Sequence, residues 1–227
     1  MIGMNLFMPD AQNGHLYGVV VGVVTNNKDP EQLGRVKVKF PWLSDQDESN
    51  WARIASPMAG KERGIYFLPE VEDEVLVAFE QGDVAFPYIL GALWNGQDKP
   101  PVANEDGKND VRMIKSRSGH VIRLTDEASK EKIEIIDRSG KNSIVIDTAK
   151  NTITITSDKH ITLFAPQGTI KLEAQNVEIK STADTKLTAD AGLIMKASAS
   201  AKLEARSRIA IEAQGTTNIK GATINLN

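Results

Sequence analysis

The sequence predicts an all-β chain in two unlike parts, a small barrel and then a long repeat that one chain cannot bury by itself. Three observations carry this. Short runs rich in Val, Phe and Trp, bounded by Gly, Pro, Asn or Asp, fill residues 17–95. Eleven of the twelve aromatic residues lie at or before Trp94, leaving only Phe164 beyond it. After residue 150, apolar pairs at i and i+2 recur about every eight residues, separated by Ser, Thr, Ala and Lys.

The first part reads as five strands, Tyr17–Asn26, Gly34–Phe40, Trp51–Ser56, Val75–Phe79 and Tyr88–Leu93. Within the second, Val36, Val38 and Phe40 share one face and Arg35, Lys37 and Lys39 the other, the period of a half-buried strand. Five such strands without a helix fit an OB-type barrel. Barrels of this type often bind single-stranded nucleic acid, and Lys37, Lys39 and Trp42 raise that alternative. A net charge of −3 opposes it, so these side chains are expected on a solvated strand face, with Trp42 packed at the barrel edge. Residues 96–112 are polar, carry Pro100-Pro101, and read as a linker.

At this point the residues carry a resemblance. The runs GRVKVKFPW (Gly34–Trp42), WARIASPMAG (Trp51–Gly60) and LPEVEDEVLVAFEQGDVAFPYILGALWN (Leu68–Asn95) resemble the OB domain of the VgrG and phage baseplate-assembly-V spike family. Glu74-Val75-Leu76-Val77, Phe79, Gly82-Asp83, Pro87, Gly91 and Asn95 stand in that family's register. Gly82-Asp83 is expected to turn between two strands, Arg53 and Glu74 to form surface or interface ion pairs, and Glu72-Asp73-Glu74 to be a solvated turn. The resemblance implies a trimeric central spike that pierces a target membrane from the baseplate of a contractile injection machine. Spikes of this family are trimeric β-helices or β-prisms. About sixteen residues precede Tyr17, so the family's hub is expected on a separate trimeric protein, docked through the N-terminal arm (1–16) and the OB domain (17–95).

Residues 113–150 read as an irregular β lead-in carrying the pairs Ile133/Ile135 and Ile144/Ile146, and residues 151–227 as a needle of eight-residue repeats. The needle pairs are Ile153/Ile155, Ile161/Leu163, Ile170/Leu172, Val177/Ile179, Thr185/Leu187, Leu193/Met195, Ala201/Leu203, Ile209/Ile211, Thr217/Ile219 and Ile224/Leu226. Their Ile, Leu, Val and Met members from Ile153 to Ile219 are the expected needle core. An Ala-rich coiled coil is the rival over residues 199–213, on helix propensity. The apolar residues there share one parity and admit no heptad, which favours strands.

One chain would need about 24 residues per coil, so ten units would make barely three coils with long open edges. Three chains wound together give about ten layers at roughly 4.8 Å each, a needle of about 45–50 Å. The expected architecture is therefore an OB-fold barrel followed by an intertwined trimeric triple-stranded β-helix, a β-prism needle, with a homotrimer as the assembly.

Other classes of function are disfavoured. Cysteine is absent and only His15, His120 and His160 are present, which leaves little for thiolate, disulfide or metal chemistry, and no cofactor or enzymatic activity is expected. No Ser/His/Asp constellation or lysozyme segment suggests a wall-degrading enzyme. The longest apolar run, Leu16 to Val24, is nine residues and follows no basic stretch, so synthesis in the cytoplasm without a signal peptide is expected. The last repeat stays in phase to the C-terminus with no histidine near it, so Ile224, Leu226 and Asn227 are expected to receive a separate PAAR-type tip protein across open strand edges.

Overall fold

The computed structural model describes residues 15–225, apart from the side chains of residues 44–46. Most of the expected N-terminal arm, together with Leu226 and Asn227 of the expected tip interface, lies outside the described residues. The chain divides after Ile161 into two units.

The first unit opens with the barrel. Its strands are β1 (Val19–Asn26), β2 (Lys37–Phe40), β3 (Ser44–Glu48), β4 (Arg53–Ile54), a small hairpin of β5 (Ala59–Gly60) and β6 (Arg63–Gly64), then β7 (Glu74–Phe79) and β8 (Pro87–Ala92). The main sheet runs β3-β2-β1-β7-β8-β4, with β4 and β8 parallel. Reciprocal backbone bonds between Val36 and Ala52, 3.1 and 2.7 Å, tie the start of β2 to the start of β4 and close the ring. A curled antiparallel sheet closed by one parallel pair is the expected OB connectivity.

Alternation decides what enters the core. Val24, Val36, Val38, Phe40, Ala52, Val75, Val77, Phe79 and Ile89 are buried together. The rings of Phe40 and Phe79 meet tilted at 5.6 Å between centroids. Gly22 makes room for this pair: a Cβ there would stand 3.3 Å from Phe40, from Val77 and from the Lys39 carbonyl oxygen. Between β7 and β8 a 3-10 turn (Glu80–Gly82) reverses the chain, with Gly82 at φ +82°. A side chain at Gly82 would meet Tyr17 and His15.

After residue 95 the structure differs from expectation. The lead-in is regular: five antiparallel strands, β9 (Val111–Lys115), β10 (Val121–Thr125), β11 (Lys132–Ile136), β12 (Ser143–Asp147) and β13 (Thr152–Thr156), form one meander in sequence order. It starts inside the expected linker and takes in Ile153 and Ile155, assigned from the repeat to the needle's first layer. The reason lies in the turns. A residue with positive φ stands in each of the four connections: Gly119 between β9 and β10, Ser129 between β10 and β11, Gly140 between β11 and β12, and Asn151 between β12 and β13.

The second unit, residues 162–225, is extended. Among the described residues it forms no strand ladder, no helix and no buried position. The coiled-coil alternative is thereby overturned, and no described residue there has the positive φ of the meander's turns.

Candidate assembly surfaces

Period-two alternation gives the meander one aliphatic face. Cross-strand register places Ile114, Ile122, Ile135, Ile144 and Ile155 in one row. Arg112, Leu124, Ile133, Ile146 and Ile153 make the row beside it. All nine aliphatic side chains are exposed. Ile133/Ile135 and Ile144/Ile146 were legible as pairs in the sequence, whereas Ile114, Ile122 and Leu124 escaped notice because β9 and β10 precede any repeat.

The opposite face is mixed, with Val111, Met113, Val121, Ile136 and Val145 beside charged and hydroxyl side chains, and its central carboxylate is satisfied within the sheet. Glu134 sits between Arg123 and Lys132 and is buried; Arg123 donates through Nε at 2.7 Å, and the Lys132 Nζ stands 3.5 Å away. The Arg123 hydrogen bond, partly offset by desolvation, holds the Glu134 carboxyl below the usual glutamate range. A depressed carboxyl contributes stability above its unfolded value and loses it as pH falls through the folded one. Thermal melts are therefore expected to show the parent losing stability below the ordinary 4.5 of glutamate. Glu134→Gln should flatten that part of the profile, and an unchanged slope would remove Glu134 from the account.

Ile161, the last residue of the first unit, and in the extended unit the expected core residues Leu163, Ile170, Leu172, Val177, Ile179, Leu187, Leu193, Met195, Leu203, Ile209, Ile211 and Ile219 are all exposed, as is Ile224 of the expected tip interface. The local conformation still sorts its two sides. Lys171 pairs with Glu173 and Lys202 with Glu204. Partners two residues apart share a side in an extended chain and do not in a helix. Each pair flanks an apolar residue, Leu172 or Leu203, that belongs to the other side.

The barrel's charged side chains are mostly engaged with their own neighbours. Lys37 pairs with Glu48 at 3.2 Å, and both Arg35 and Lys37 lie over the Trp51 ring. Arg53, expected in an ion pair, instead lies over the Tyr88 ring at 5.7 Å. Trp42 is half exposed, 6.0 Å from Phe40. Asp29, unremarked in the sequence, accepts from Arg35 Nε at 2.9 Å and Nη2 at 2.8 Å and from the backbone N–H groups of Glu31 and Leu33. Arg35 above all holds its carboxyl well below the usual range, and the contacts pin the loop ahead of β2. Val19, Val21 and Leu90 leave an apolar strip on the barrel's outside, and Met58, Ile65, Tyr66 and Phe67 another around the β5–β6 hairpin.

The histidines are dispersed. His15 stacks on Tyr17, His120 accepts the Arg138 N–H through Nδ1, and the His160 carbonyl accepts from Ser157. No helix among the described residues is long and apolar enough to cross a membrane.

Comparison with known proteins places this geometry. The family model of the type VI secretion system/phage-baseplate injector OB domain matches residues 20–94. The type VI secretion system spike protein VgrG3 of Vibrio cholerae serotype O1 is 29% identical over 159 residues, 66% of this chain and 15% of the relative. VgrG1b of Pseudomonas aeruginosa is 32% identical over 137 residues, 59% of this chain and 18% of the relative. VgrG1a of the same organism is 31% identical over 137 residues, 59% of this chain and 21% of the relative. The chain thus spans 15–21% of the length of these curated relatives.

Proposed function

We propose that the chain, whose residues 20–94 match the type VI/phage-baseplate injector OB domain and which is similar to VgrG spike proteins, is the structural central spike of a contractile injection machine, acting as a homotrimer. One observation carries the reading: residues 162–225 are extended, sorted into apolar and polar sides, and without strand partners among the described residues of their own chain. Backbone N–H and C=O groups in extended segments need partners when their apolar side leaves water. Strands of two further copies supply both the hydrogen bonds and the apolar lining.

On this reading three tails wind into a triple-stranded β-helix, Ile, Leu, Val and Met pack along its axis, and Lys, Glu and Ser face water. Force applied at the barrel end is borne by interlocked strands, because no chain leaves without breaking every layer it crosses. The work is mechanical and assigns no catalytic residue. The barrel end meets a hub, for which the outer strip of Val19, Val21 and Leu90 offers contact area. The far end, from Ile224 onward, receives a PAAR-type tip protein by strand addition. The particle is a phage tail, a tail-like particle or a type VI apparatus, and its target is a membrane.

Light scattering on the purified chain tests this. The expected mass is about three times 24.8 kDa. A folded monomer that keeps the whole tail would overturn the reading.

A further inference from the structure

We infer that the aliphatic face of the β9–β13 sheet is the self-association surface on which three copies first pack, and that it fixes the register in which their tails begin. This rests on the trimeric reading above and adds what that reading lacks, a reason for the chains to align.

The repeat alone does not align them. Its units are close to interchangeable, with first members spaced eight residues apart from Val177 through Thr185, Leu193, Ala201, Ile209 and Thr217. Sliding one chain by one unit sets Ala201/Leu203 where Ile209/Ile211 stood and forfeits little except the ends. Such strands specify register weakly.

The sheet is built differently. Its i, i+2 pairs begin at Ile122, Ile133, Ile144 and Ile153, so the intervals are 11, 11 and 9 residues. Each strand is paired within its own chain, which fixes the order of the rows before any partner arrives. The patch is finite, because the second row ends at Arg112, which is ion-paired with Asp126. Three such faces around a common axis bring the nine aliphatic residues together at zero offset, with Arg112 confined to the end of its row. A slip of one strand, about 4.8 Å, carries Arg112 onto a neighbour's aliphatic row.

Copies of this chain are the occupant that fits. The face presents the same side-chain pair that the tail repeats, and in sequence Ile153/Ile155 leads straight to Ile161/Leu163. Nine aliphatic side chains near half exposure offer on the order of 700 Å², close to the roughly 800 Å² per partner of a stable interface. That exceeds the roughly 300–600 Å² of the largest patch on a typical monomer. The opposite face sets Arg123, Lys132 and the buried Glu134 among its apolar residues, whereas the Ile/Leu face is the more exposed over β9–β12 and carries no charged residue but Arg112 at the end of one row.

The absence of cysteine makes the test direct. A spin label is placed at Lys202→Cys, on the polar side of the tail, and distances between labels are read by pulsed electron resonance on the full chain. The parent should give one narrow distance, as a threefold trimer in register must. The double variant Ile135→Thr/Ile144→Thr keeps β-branched residues but puts two hydroxyls on the face. It should give a distribution at least about twofold wider, with added distances from labels whose chains are offset along the axis by whole units of about 5 Å, or a monomer with its strand content intact. Ile209→Thr, in the tail, should keep the single distance. A face variant that stays trimeric with the parent's single distance overturns the inference, as does a trimeric parent with several distances. A monomeric parent instead overturns the trimeric reading itself.

Discussion

Ile89→Ala is expected to lower the barrel's unfolding free energy by about 3 kcal/mol, within the ~2–5 kcal/mol of buried large-to-alanine changes. Ile89 is fully buried on β8 at the seam where the ring closes. There β4 and β8 share only a two-residue parallel ladder, Arg53 opposite Tyr88 and Ile54 opposite Ile89, supported by the bond from Ala55 N–H to the Ile89 carbonyl at 2.8 Å. Removing three carbons there leaves a cavity beside the least redundant pairing in the barrel. Ile89→Val should cost about 1 kcal/mol. Leu90→Ala, one residue on and outside, should cost less than about 0.5 kcal/mol in the isolated chain. Denaturant melts of the three variants check the order. A Leu90→Ala cost equal to that of Ile89→Ala would mean that the sides of β8 are assigned the wrong way round.

The barrel was legible because its strands are half buried. A period of two with one wet face leaves an alternating record, and Val36, Val38 and Phe40 turned inward as that record says. What escaped was set by tertiary contact rather than pattern. β3 is polar, SDQDE, and is a strand because it pairs beside β2. The Asp29–Arg35 lock joins residues six apart through a loop with no periodic signal.

The sheet and the tail show the limit more sharply. Both carry i, i+2 aliphatic pairs, and the pairs alone do not say whether a chain folds back on itself or runs on. The deciding residues lie between the pairs. Ser129, Gly140 and Asn151 adopt left-handed conformations and reverse the chain, while the tail's connections, including Gly168, Gly192 and Gly215, do not. Hairpins need that conformation or a longer loop, and corners between successive faces do not. Ile153/Ile155 sits where the two patterns meet, and its intervals to the neighbouring pairs, nine behind and eight ahead, gave too little contrast to separate them.

The combined substitution Ile209→Asp/Ile211→Asp should unravel the needle from that layer to its end. In a threefold assembly it places six carboxylates at one level of a dry interior. Each unpaired buried ion costs several kcal/mol, and the two neighbouring layers cannot absorb that sum. The chains should separate there, because layers beyond the charges hold together only through partners the charges have displaced. Limited trypsin digestion reads the result directly. Lys202, Arg206, Arg208 and Lys220 flank the site, and an extended backbone paired on both sides is a poor substrate while a frayed one is cut readily. The parent is expected to resist cleavage at these positions and the variant to be trimmed back to the units before Ile209. Ala210→Asp, between the two and on the opposite side of the strand, should resist like the parent. Lowering the pH below about 4, with pepsin in place of trypsin as the probe, should restore part of the protection, since a carboxyl forced into an apolar interior binds a proton more readily than a free one. If the variant and the parent are cut alike, Ile209 and Ile211 do not line an interior.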